Sequence, residues 1–147
     1  MRKNLKAYKS VDIESNLATA DPHQVISMMY NGLLESIAQA KGAIERKELA
    51  NKSTLLSKAI NILQALQNSL DFDSQPEISS NFDGLYGYCI DRINDASVSL
   101  DVSALNEVVE LLAPLRDAWV QIPENEKQQG LDLLKQKEQA QTNAVGA

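Results

Sequence analysis

The sequence predicts an all-α protein: an antiparallel up-down four-helix bundle with an N-terminal arm and a short fifth helix near the C-terminus. Three observations predict it. Separate segments repeat one hydrophobic spacing, short polar breaks divide them, and the 147 residues are 44% apolar but only 5% aromatic. That composition favours helices over an all-β sandwich. A chain of this length buries roughly 68–70% of its unfolded surface, enough for a core without metals or disulfides.

Each helix is justified by its own seam. Ile26, Tyr30, Leu33, Ile37, Ala40 and Ile44 mark the first. Leu56, Ala59, Leu63, Leu66 and Leu70 mark the second. The third runs Phe82, Tyr86, Cys89, Ile93, Ala96, Leu100, and the fourth Leu105, Val108, Leu112, Leu115, Trp119, Ile122. Steps of three and four alternate throughout, an average of about 3.5 residues that keeps one stripe facing its partners.

The ends of the segments agree with the seams. Asp21 suits an N-cap, Pro22 the first helical position, and Gln24 a reach back as in a capping box. Arg46 to Lys52 reads as a polar turn, and Asp71 to Glu77 as a proline-containing break. Ser79 or Ser80 is the expected cap of the third helix, and Asp101 or Ser103 of the fourth. Such short connections favour antiparallel neighbours. Gly84 and Gly87 weaken the third helix, and Pro114 should kink the fourth near Glu110. The expected organisation is an arm over 1–17, a bundle over 18–122 and a C-terminal stretch over 123–147. In that last stretch Leu131, Leu133 and Leu134 suggest a short helix before a polar tail.

Charge and composition exclude several functions. Twenty acidic residues against 14 basic ones give a net charge of −6, which argues against nucleic acid as a partner. The balance is uneven: residues 1–10 hold Arg2, Lys3, Lys6 and Lys9 and no acid, whereas residues 71–110 hold nine acids and only Arg92. No apolar run exceeds three residues, so no membrane insertion is expected. The basic start lacks the apolar stretch of a signal peptide, and Cys89 has no internal partner, so a cytosolic protein is expected. The search for chemistry is negative. His23, the single histidine, sits in a first turn, Cys89 lies on the apolar seam, and Asp91 and Asp95 share a polar face. No nucleotide fingerprint or metal-ligand set occurs, so neither catalysis nor a cofactor is expected.

Apolar surface remains. Val25 and Met29, Leu55 and Ile62, Leu85, Val109 and Leu111 lie beyond the seams and either widen the core or line grooves for an amphipathic segment. In the arm, Leu5, Tyr8 and Val11 form a weak stripe.

Several of these residues belong to a recognisable pattern. Lys6-Ala7-Tyr8, Ala20 to Ile26, Met29-Tyr30-Asn31-Gly32, Ser57 to Leu63, Leu85-Tyr86-Gly87-Tyr88 and Ala118-Trp119 occur in the order seen in the FliS flagellar export chaperones. The chain resembles that family from Leu5 to Trp119. It departs from it at Asn31, where Asp is common, at Gly87, and in the Asp71–Ser80 loop, which lacks the usual glycines. The resemblance implies a cytosolic chaperone that binds the C-terminal region of newly made flagellin, prevents early polymerisation and delivers it to the flagellar type III export gate. It also implies an arm that covers part of the client site through Leu5 and Tyr8. The expected client-binding set is Leu5, Tyr8, Val11, Val25, Met29, Leu55, Ile62, Leu85, Tyr86 and Val109. A homodimer stays open. The rival reading is a helical adaptor for another amphipathic partner, with no export role.

Overall fold

A computed structural model describes residues 21–122. Four helices follow in order: α1 (Pro22–Glu45), α2 (Leu49–Asn68), α3 (Pro76–Ser99) and α4 (Val102–Val120), with no strand among the described residues. Contacts divide the chain after Arg116 into two compact units. Among the described residues the second unit holds the end of α4, closed by bonds of 3.3 Å from the Gln121 N–H to the Asp117 carbonyl and from the Ile122 N–H to the Trp119 carbonyl. The arm and the expected fifth helix lie outside the described residues.

α1 starts as its residues dictate. Asp21 is extended and its Oδ1 accepts the Gln24 N–H at 2.7 Å, while Pro22 occupies the first turn, where no N–H is needed. The helix ends in a turn shorter than the expected Arg46–Lys52 span, because α2 already begins at Leu49. Lys47 takes the left-handed conformation at φ 60°, and the Glu48 N–H reaches the Ala43 carbonyl at 2.8 Å. An exposed Arg46–Glu48 ion pair of 2.8 Å bridges the turn and holds the Glu48 carboxyl below the usual carboxylate range.

Lys52 is a buried helical residue and not part of the turn. Its Nζ donates to the Ser97 carbonyl at 2.9 Å and to Ser97 Oγ at 3.3 Å. A cation placed against the last carbonyls of α3 is favoured by the helix dipole. This bond, with the 3.5 Å approach of Gln67 Nε2 to the Asp83 carbonyl at the opposite end, sets α2 and α3 antiparallel.

The start of α3 also corrects the expectation. Pro76, with φ already set for a helix, opens it three residues before Ser79. Ser79 is therefore no cap; it is buried, and its Oγ donates to the Asp71 carbonyl at 2.7 Å, stitching the loop to the helix. At the other end Leu100 leaves the seam. It sits in the left-handed region at φ 56° and is 42% exposed, so the core stripe of α3 stops at Ala96. Asp101 caps α4, accepting the Ser103 N–H at 2.9 Å and its hydroxyl at 2.6 Å. α4 runs through Pro114 to Val120.

The seams meet in one core within the first unit. Leu33, Ile37, Leu56, Leu63, Leu66, Ile93, Leu105 and Leu112 are sealed from solvent, and Ala40, Ala59, Ala96 and Ala104 let the backbones approach. Ile26, Leu70, Phe82 and Leu115 pack on it partly buried. Cys89 is the buried small hydrophobe expected, and burial pushes its thiol up to about 11. One polar pair crosses the core: the Tyr30 and Tyr86 hydroxyls lie 2.6 Å apart and tie α1 to α3. Burial raises both phenols above their ordinary range.

Candidate functional site

A groove of about 700 Å³ opens between α1 and α2. Met29 enters it from α1, and Ile62 and Ala65 from α2 form the rest of its apolar part. Ser53, Thr54, Ser57, Lys58 and Asn61 line the polar side. The local reason is helical register. Thr54, Lys58, Asn61 and Ala65 step by four, three and four, so they share the face of α2 beside the buried stripe of Leu56, Ala59, Leu63 and Leu66. Gly32, one turn after Met29, faces that side of α2: a Cβ there would stand 3.6 Å from Ile62 Cδ1, an ordinary contact distance.

The structure brings Met29 and Ile62 together in this groove. Val25 lies half-buried one turn before Met29. Leu55, Leu85 and Val109 are partly buried against the core on α2, α3 and α4, and none of them lines the groove. Tyr86 does not face a groove at all; it is 4% exposed, with its hydroxyl engaged by Tyr30 and its ring tilted 5.8 Å from Phe82. Its period along α3 places it on the buried seam, and that outranks its place in the motif. Leu5, Tyr8 and Val11 lie outside the described residues. Sequence reasoning missed the polar lining of α2. The signal was available as a second repeat of about 3.5, in small and polar residues, running parallel to the seam.

Electrostatics distinguish this face from its surroundings. α2 carries Lys52 and Lys58 and no acid, in a chain of net charge −6. Lys52 is engaged with Ser97, whereas Lys58 is exposed in the groove with no hydrogen bond or ion pair among the described residues. On the α3–α4 face the charges are paired. Arg92 Nε donates to Glu107 Oε2 at 3.0 Å and its Nη1 to Asp95 at 3.2 Å, and the Tyr88 hydroxyl donates to Glu107. The Tyr88 hydroxyl, and then Arg92, hold the Glu107 carboxyl below the usual carboxylate range. Among the described residues no group of three or more His, Cys, Asp or Glu could hold a metal ion, and no helix is long and apolar enough to cross a membrane.

An apolar floor with a polar, singly charged rim has the character of a surface that can hold an amphipathic helix. The pair of motif stretches that supply it, around Met29–Gly32 and Ser57–Leu63, are parts of the pattern shared with flagellar chaperones. Comparison with known proteins agrees. The family described as flagellar protein FliS matches residues 4–126. Flagellar secretion chaperone FliSB of Pseudomonas aeruginosa is 40% identical over 117 residues, covering 80% of this chain and 93% of that one. Flagellar secretion chaperone FliS of Salmonella typhimurium is 38% identical, with 80% and 88% covered, and that of Vibrio cholerae is 33% identical, with 84% and 90% covered. A crystal structure of a bacterial flagellar chaperone superposes with a TM-score of 0.66 at 20% identity, over 83% of this chain and 98% of the other, which supports the fold. The chain belongs to the FliS family of flagellar proteins.

Proposed function

We propose that this chain is a cytosolic secretion chaperone for flagellin. It binds the C-terminal region of the newly made subunit, blocks premature polymerisation and passes the subunit to the flagellar type III export apparatus. The family and its relatives, named as secretion chaperones, support the general role. The observation that carries the binding mode is the α1–α2 groove with Met29 and Ile62 at its floor.

Energetics set the form of the complex. A client segment that folds on binding loses about 2–5 kcal/mol or more in ordering, and each well-buried aliphatic anchor returns about 1.5–3 kcal/mol. A single anchor does not suffice. The 20 residues of α2 extend for about 30 Å, room for several turns of a client helix. A helix laid along α2 can seat one side chain between Met29 and Ile62 and others further along.

The test is calorimetric titration of the full-length protein with a C-terminal flagellin fragment. Replacing both groove residues, Met29→Ala with Ile62→Ser, should weaken binding by roughly a hundredfold, since each loses about 1.5 kcal/mol of contact. Both side chains are only half-buried, so the bundle should still melt cooperatively. Full affinity in the double variant would remove the groove from the mechanism.

A further inference from the structure

Among the described residues Lys58 is the one charged side chain lining the groove, and it has no hydrogen-bond or ion-pair partner there. Most of the other described cations are engaged, Lys41 with Asn106, Arg46 with Glu48, Lys52 with Ser97, and Arg92 with Asp95 and Glu107; Lys47, exposed in the α1–α2 turn, is not, but it does not line the groove. α2 is also the one helix among the four described that carries no acid. α1 carries Glu35 and Glu45, α3 carries Glu77, Asp83, Asp91 and Asp95, and α4 carries Glu107, Glu110 and Asp117. The groove is thus a locally positive site on an acidic protein.

Geometry couples that charge to the apolar floor. Lys58 and Ile62 are four residues apart, neighbours on one helical face. A helix that places an aliphatic side chain against Ile62 brings its own residue three or four positions away alongside Lys58. We infer that the client helix seated in this groove carries a side-chain carboxylate one turn from its apolar anchor, and that Lys58 selects it. The inference rests on the proposed chaperone role and adds the chemistry of the segment recognised. Ser57 and Asn61 flank Lys58 with groups that can donate hydrogen bonds to the same carboxylate. Partial exclusion of water by the docked helix makes such a pair stronger than one on an open surface, and a wrong-sign partner is rejected.

The experiment uses the full-length protein and the C-terminal flagellin fragment, titrated at two salt concentrations. Lys58→Glu should weaken binding by roughly tenfold or more, Lys58→Met by less, and Lys58→Met should also flatten the salt dependence. Lys58 has no partner among the described residues, so neither change should alter the melting temperature appreciably. Reversal of the matching client carboxylate to lysine should restore binding to Lys58→Glu. If the wild-type protein binds and Lys58→Glu binds equally well, the inference is overturned while the chaperone role stands. A loss that no single client reversal repairs also overturns it, since that loss would reflect overall charge. If the wild-type protein does not bind the fragment, the client assignment falls and the inference with it.

Discussion

The α1–α2 face and the α3–α4 face are built from the same helical repeat but treat polar groups in opposite ways. Across α3 and α4, Tyr88, Arg92, Asp95 and Glu107 satisfy one another, so the surface offers a partner few unused donors. Across α1 and α2 the groove presents Lys58 without a partner over an apolar floor. Internal pairing holds two helices together; under the proposed function, withheld pairing keeps capacity for a third.

Three stability measurements sharpen that contrast. The largest effect should come from the contact that holds α1 to α3 beneath both faces. Tyr86→Phe leaves the Tyr30 hydroxyl buried without its partner and should cost about 1–3 kcal/mol in urea unfolding, whereas Tyr30→Phe with Tyr86→Phe should recover most of the loss. A single variant as stable as wild type would show that the hydroxyl pair adds nothing.

Next come the helical glycines. Gly84→Ala meets nothing within 4 Å on α3, and Gly32→Ala meets Ile62 at an ordinary contact distance on α1. Each should raise stability by about 1 kcal/mol through helix propensity. Only Gly32→Ala adds a methyl group against a groove residue, so it should also shift affinity for the flagellin fragment. A groove indifferent to that methyl would break the comparison.

The smallest effect belongs to acid. The Glu107 carboxyl is held low in the folded protein, so its contribution is present above the unfolded-state value and fades as pH falls through the folded one. Melting curves from pH 6 to pH 3 should therefore fall slightly less steeply for Glu107→Gln than for wild type. Coincident acid limbs would mean that the α3–α4 pairing is too solvated to matter.

Much of the fold was legible because a 3.5 repeat depends only on which residues are apolar, and Ile37, Leu63, Ile93 and Leu105 could hardly be placed elsewhere. The departures occur where a residue's type and its role part company. Lys52 looked like turn chemistry, yet a long aliphatic stem can lie buried while its ammonium reaches a carbonyl. Leu100 continued the repeat on paper, but the left-handed cap rotates it outward. Ser79 had the right chemistry for a cap, and Pro76 started the helix earlier. The groove was only half visible: Met29 and Ile62 could be named as surplus hydrophobes, while Ser57, Lys58 and Asn61 look like any solvated face until α1 is set beside them.

The thiol of Cys89 lies sealed in the core of the first unit, with its ionisation pushed up to about 11, in a chain that has no second cysteine. While the helices stay closed, neither oxidant nor alkylating reagent can meet a thiolate there. Every labelling event therefore records a moment when the bundle came apart, and the labelling rate, with and without client, is a clock for how often it does.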